Sequence, residues 1–171
     1  GQLNHHPVYC PNRIVNSILG VKGSLYRQKN IAFSFDCRLP EPLSLSGVTL
    51  CSLFTNVLDN AYHAVQSGVP ELGRIDLSGY LGKGIMLLTC ENPIQPRSQP
   101  KLERRRKAED GTQHGLGLLI LQTIAEQHKG TMEIQTANDI FQIRLLLQLP
   151  APSTSPVPAS ILPQKEEATP V

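Results

Sequence analysis

Leu53-Phe54-Thr55-Asn56-Val57-Leu58-Asp59-Asn60-Ala61 is the stretch on which the reading of this chain turns. Around it, Leu50, Leu53, Phe54, Val57, Leu58, Ala61 and Val65 recur at three- and four-residue intervals. That period predicts an amphipathic helix over about residues 46–66, one stripe facing a core, stopped by Ser67-Gly68-Val69-Pro70. Asn56 and Asn60 stand one turn apart and project from one side of it. Asn is a poor residue inside a helix because its amide competes for backbone hydrogen bonds. Two of them beside an apolar stripe are either satisfied by neighbouring backbone or offer amide oxygens, neutral hard ligands that suit Mg²⁺. The helix alone fits both.

Outward from that helix, residues 12–30 carry Ile14, Val15, Ile18, Leu19 and Leu25 at helical spacing and end in Arg27-Gln28-Lys29-Asn30. Residues 31–37 alternate as a strand, and Leu39-Pro40-Glu41-Pro42 reads as a loop. Beyond the central helix, strands are expected over 74–81 and 85–90, joined by Gly82-Lys83-Gly84. Residues 93–114 are broken by Pro93, Pro96 and Pro100 and then almost wholly charged from Lys101 to Asp110. Loops of that length inside a domain usually carry function. A helix follows over 115–129, with Leu118, Leu119, Leu121, Ile124 and Ala125 as its apolar side and Gly130 as its terminal glycine. Strands over 131–136 and 140–149 flank Ala137-Asn138-Asp139, and the Pro/Ser-rich residues 150–171 read as a disordered tail. The order predicts an α/β fold, a two-layer sandwich with helices on one face of a mixed sheet.

Composition agrees with one such domain. The chain has 171 residues, 40% hydrophobic and 18% charged, enough apolar material for a core of Leu, Ile and Val, since Trp is absent. A formal net charge of +2 is too small to argue for a nucleic-acid partner by itself. The run Arg104-Arg105-Arg106-Lys107 has no aromatic platform beside it, which argues against one. Four cysteines, none in a CxxC pair, read as buried thiols rather than metal ligands. His5 and His6 read as part of a frayed terminus. No apolar run approaches the ~20 residues that cross a bilayer, so the chain is expected to be soluble.

Two further motifs are weak singly. His114-Gly115-Leu116-Gly117-Leu118 precedes a helix; its glycines admit a ligand close to backbone, and free N–H groups at a helix start attract phosphate. Neither the dinucleotide fingerprint nor the Walker loop is present. Cys90-Glu91-Asn92-Pro93 closes a strand; Asn92 has the donor and acceptor atoms to read a base edge, though Asn-Pro is by itself a turn signal.

In combination these motifs resemble the GHKL ATP-binding superfamily of gyrases, heat-shock chaperones, histidine kinases and MutL. Within it they are most similar to the sensor histidine kinases that include pheromone receptors and dicarboxylate sensors. Asn56-Val57-Leu58-Asp59-Asn60-Ala61 resembles the N box and Gly115-Leu116-Gly117-Leu118 the second glycine box, while residues 128–134 resemble the helix exit that follows. The resemblance implies the Bergerat fold over residues 31–149, with residues 1–30 ending a dimerisation or linker helix. It implies ATP and Mg²⁺ as ligands. Asn60 would be the metal ligand, Asn56 would assist at the phosphates, and His63 occupies a place that is often basic. Asn92 stands where most members have an adenine-binding Asp. His114, Gly115, Leu116, Gly117 and Leu118 would approach the phosphates, and residues 93–114 would form a lid bringing Arg106 and Lys107 to them. The implied activity is transfer of the γ-phosphate to a histidine of a dimerisation domain not evident in this chain, then to a response regulator. The setting implied is a homodimeric, membrane-anchored sensor with this domain in the cytoplasm.

Two departures qualify that picture. Asn92 is followed by Pro93-Ile94-Gln95 instead of the family's two glycines, and a neutral acceptor is weaker than a charged one, so modest affinity is expected. Hydrolases of the superfamily carry a water-activating Glu where this chain has Asn56, which cannot take a proton. An ATPase, or a regulatory module inert to nucleotide, remains the alternative.

Overall fold

The computed structural model describes residues 8–68, 71, 73–95 and 114–150. The expected tail beyond Pro150, His5 and His6, and most of the expected lid lie outside the described residues. Among the described residues, eight elements run in the order α1 (Arg13–Gln28), β1 (Ala32–Arg38), α2 (Gly47–Gly68), β2 (Arg74–Gly82), β3 (Ile85–Pro93), α3 (His114–Gln127), β4 (Thr131–Ala137) and β5 (Ile140–Gln148).

The five strands form one sheet in the order β1-β2-β3-β5-β4. β1 pairs parallel with β2, which α2 makes possible as the crossover; the remaining neighbours pair antiparallel. β3 alternates strictly, with Met86, Leu88, Cys90 and Asn92 buried toward the helices. Its other face carries Thr89 and Glu91 beside Ile85, Leu87 and Pro93, and a polar row crosses the sheet there. Ser34, Asp76, Glu91, Gln142 and Gln135 follow one another in register from β1 to β4. All three helices pack on the buried face, so the structure is the expected two-layer α/β sandwich, here with a mixed sheet.

Local chemistry sets the helix ends. Asn12 caps α1, its Oδ1 accepting from the Ile14 and Val15 N–H groups at 3.2 Å, while its Nδ2 donates to the Pro40 carbonyl. Ser46 Oγ accepts from the Thr49 N–H at 3.0 Å ahead of α2. α1 is no peripheral extension of the fold. Val15, Leu19 and Tyr26 are buried in the common core, and the Tyr26 hydroxyl donates to the Leu58 carbonyl of α2 at 3.0 Å.

α1 and α3 end in the same way, with a left-handed residue followed by a long return bond. After α1, Asn30 has φ 55°, and the Ile31 N–H reaches the Tyr26 carbonyl at 2.9 Å. After α3, Lys129 has φ 50°, and the Gly130 N–H reaches the Ala125 carbonyl at 2.8 Å. Both are Schellman motifs. Gly130 therefore does not supply the left-handed turn expected of it. It is a glycine because β5 lies against it: a Cβ there would stand 1.7 Å from the Leu146 carbonyl oxygen.

Several boundaries also differ from expectation. β3 continues through Glu91 and Asn92 to Pro93, because Pro93 is still paired with Ile140 of β5. His114 is helical, so α3 starts earlier than expected. Leu119, expected on the apolar side of α3, is 59% exposed, and the burial falls on Leu121, Ile124 and Ala125.

Gly130→Ala is expected to lower stability by about 2 kcal/mol or more, since a strand backbone must move to admit the methyl. Gly82→Ala, where a Cβ meets nothing within 4 Å, should stay within about 0.5 kcal/mol. Urea denaturation of the two variants checks this. The thiols give a second measurement. Cys10, Cys37 and Cys90 are buried and Cys51 is exposed. Burial pushes the Cys37 thiol up from 9.0 to about 12 and Cys90 upward as well. A raised folded pKa adds stability that is full below the unfolded value and lost as pH rises toward the folded one. At pH 8 a thiol reagent should therefore label Cys51 alone in the native protein, and all four cysteines after denaturation.

Candidate functional site

The face of α2 that carries Asn56 and Asn60 does meet the start of α3. Asn56, Asp59, Asn60 and His63 on one side and Leu116, Gly117 and Ile120 on the other line a single cavity of about 190 Å³. The α2 residues fall at helical positions i, i+3, i+4 and i+7, which is why one face holds all four. A wider, more open hollow of about 940 Å³ runs along α1 past Tyr9, Asn16 and Val21. None of the motif residues lines it.

Asn56 is oriented by its own helix. Its Nδ2 donates to the Ser52 carbonyl at 2.7 Å, with Ser52 Oγ at 3.4 Å. That bond commits the donor end of the amide and leaves Oδ1 toward α3, where a Cβ on Gly117 would stand 3.2 Å from it. The glycine is thus fixed by the approach of the two helices. Gly115 faces open space, with nothing within 4 Å of a built Cβ. Leu116 and Gly117 lie in the first turn of α3, where backbone N–H groups lack partners inside the helix.

His63 follows on the same face. Its Nδ1 lies 2.7 Å from the Asp59 carbonyl oxygen. A carbonyl only accepts, so Nδ1 carries the hydrogen of that bond. Asp59 is paired in turn with Lys22 of α1, Nζ to Oδ1 at 2.5 Å, the two side chains being 15% and 39% exposed. The cavity therefore combines two amide side chains and a carboxylate, all with hard oxygen atoms, opposite a helix start. Oxygen donors suit a hard divalent cation, and a helix start suits an anion.

The remaining sequence candidates fall elsewhere. Asn92 is buried on the helix-facing side of β3, the central strand, and its Nδ2 donates to the Pro93 carbonyl at 3.0 Å. It does not line the cavity of Asn56 and Asn60. Leu118 packs against the hydrophobic core. Arg106 and Lys107 lie outside the described residues, and of His114 only the helical backbone is described. Just ahead of that gap, the Ile94 N–H donates to the Asp139 carbonyl at 2.9 Å and Gln95 Nε2 to the Gly68 carbonyl at 2.7 Å. Sequence reasoning missed Asp59 and Ile120 as cavity residues and Lys22 as the partner of Asp59. Helical spacing from Asn56 would have found Asp59; nothing in the sequence signals Lys22. Among the described residues no group of His, Cys, Asp and Glu forms a metal cluster, and no helix is long and apolar enough to cross a membrane.

A family model described as the GHKL domain matches residues 45–148, more than half of the chain. Among solved structures, the chain is similar to the histidine kinase AdeS of Acinetobacter baumannii. That match has 15% identity and a TM-score of 0.57, covering 80% of this chain and 63% of that one. It is also similar to the catalytic domain of histidine kinase ThkA in two nucleotide-free forms. One gives 17% identity and a TM-score of 0.63, covering 81% of this chain and 93% of that one. The other gives 17% and 0.61, with 81% and 92% covered. At such identities the likeness is one of fold. This chain spans less than two thirds of the AdeS chain. No curated protein sequence matches it.

Gly117→Val tests the approach of α2 and α3 directly. Its side chain meets Asn56, and stability should fall by about 1–3 kcal/mol, whereas Gly115→Ala should be tolerated. Thermal unfolding of both variants reads the difference.

Proposed function

Since this chain belongs to the GHKL domain family, we propose that it is the ATP-binding catalytic domain of a sensor histidine kinase. The observation that carries this reading is the single cavity between the Asn56–Asn60 face of α2 and the glycine-bearing start of α3. The residues fit Mg²⁺ with a triphosphate. Asn56, Asp59 and Asn60 offer oxygen ligands or acceptors, and the missing Cβ of Gly117 leaves the room that backbone needs to approach phosphate.

In this reading Asn60 holds the metal and Asn56 assists, its amide fixed in orientation by Ser52. The first turn of α3, at Gly115, Leu116 and Gly117, binds phosphate oxygens through backbone N–H groups. The metal's contribution is to offset the charge that develops on the phosphoryl oxygens. Asn92, buried on β3, is the proposed adenine contact, an acceptor without charge. Neither Asn56 nor Asn60 can take a proton from water, so the α2 pair does not form a hydrolase's general base. Transfer to a neutral imidazole, already a competent nucleophile, needs mainly positioning and charge balance, which amides and backbone N–H groups supply.

The acceptor histidine lies on a dimerisation domain, and a response regulator receives the phosphoryl group. The branch is that of pheromone receptors and dicarboxylate sensors, and the parent protein is a membrane-anchored homodimer. The N-box sequence Asn56-Val57-Leu58-Asp59-Asn60-Ala61 supports this assignment.

Calorimetric titration with Mg·ATP is the test. The wild-type domain should bind at up to millimolar nucleotide. Asn60→Ala should weaken binding by at least about tenfold, the loss seen when even an outer-shell partner of a metal is removed, with an unchanged melting temperature. Absence of any heat in the wild type would point instead to a nucleotide-inert regulatory module.

A further inference from the structure

The acidic residue between the two asparagines, so far one oxygen donor among three, carries a charge that the amides lack. Among the described residues, Asp59 is the only carboxylate that lines the cavity. A carboxylate beside a bare triphosphate is repulsive, and the first turn of a helix does not cancel it. Next to a metal-loaded triphosphate the sign reverses, because the nearest charge is then a divalent cation. Lys22, mostly buried, takes Asp59 Oδ1 and so holds the carboxylate in place against α2. A carboxylate has about four acceptor sites, which leaves capacity for a donor on the cavity side.

From this juxtaposition we propose that Asp59 makes the site discriminate between metal-loaded and metal-free nucleotide, with Lys22 of α1 as the residue that positions it. The inference rests on the nucleotide reading of the cavity and deepens it. Asp59 accepts hydrogen bonds from the hydration shell of the bound cation, an outer-shell contact of the kind that tunes metal sites, and repels the nucleotide that arrives without one. Lys22 acts only through Asp59. Its ammonium fixes the carboxylate's rotamer from α1, none of whose described residues lines the cavity.

The quantity that tests this is a ratio: affinity for a non-hydrolysable ATP analogue with Mg²⁺, divided by affinity for the same analogue in EDTA. Asp59→Asn keeps an oxygen for Lys22 but removes the charge, so a purely structural pairing survives it. The expected result is a fall in the ratio of at least about tenfold, from weaker binding with metal and tighter binding without, while the melting temperature holds. Lys22→Met combined with Asp59→Asn should go no further than Asp59→Asn alone, because coupled residues do not add. An unchanged ratio in Asp59→Asn overturns the proposal while leaving the nucleotide site standing. A wild-type domain that binds the analogue in neither condition overturns both. The distinction is visible without any phosphotransfer assay.

Discussion

The approach of α2 to α3 is the constraint from which the rest of this structure follows. Where the two helices meet, Gly117 has no side chain, and the Asn56 amide oxygen occupies the space beside it. A helix pair this close can enclose only a small cavity, and it encloses one whose walls are polar on α2 and backbone on α3. A Cβ at 117 would stand 3.2 Å from that amide oxygen, so a larger residue there requires the Asn56 side chain to give way. The apolar stripe of α2, from Leu50 to Val65, sits against both β3 and α3.

The sheet is arranged to support that contact. β3 is the middle strand and presents Met86, Leu88 and Cys90 to the helices. β5 inserts between β3 and β4, so the hairpin following α3 returns the chain to the centre of the sheet. The return is tight enough that Gly130 touches the backbone of β5. On the opposite side α1 closes the layer. Tyr26 sits against Phe33 edge-on and stacks with Tyr62, and its hydroxyl satisfies a carbonyl of α2. Lys22, four residues earlier, meets Asp59 at the edge of the cavity. One face of α2 thus faces α1 and another faces α3, and the polar residues of the site lie along the seam. The chemistry supported by this arrangement is that of charge placement: amide oxygens, a carboxylate already paired with Lys22, and the first-turn backbone of α3.

Much of this was legible in the sequence because it is periodic or local. Seven apolar positions at helical spacing gave α2, and the residues they named are those the structure buries. The i, i+4 placement of Asn56 and Asn60 put both on one face without any tertiary information, and the glycine motif marked the start of a helix whose first turn lines the cavity. Alternation gave the strands, and short connections paired them into hairpins. Helix termini, by contrast, were read only in part. Gly130 carries a signal that looks like a left-handed cap, yet Lys129 takes that conformation, and the glycine answers to a strand that the sequence places a turn later.

What the sequence determined by itself is the set of elements, their apolar faces and the two motifs that carry the chemistry, since all of these depend on spacing within a single helix or strand. Only the tertiary structure decided which faces meet. It placed β5 inside the sheet, left Leu119 in solvent, buried Asn92 on β3 instead of on the wall of the cavity, and paired Asp59 with a lysine from a different helix. The physical reason is the same in each case. Hydrogen bonds within an element repeat with the chain and leave a period in it. A contact between elements is fixed by packing shape and desolvation, and residues 37 apart, as Lys22 and Asp59 are, share no period from which that contact could be read.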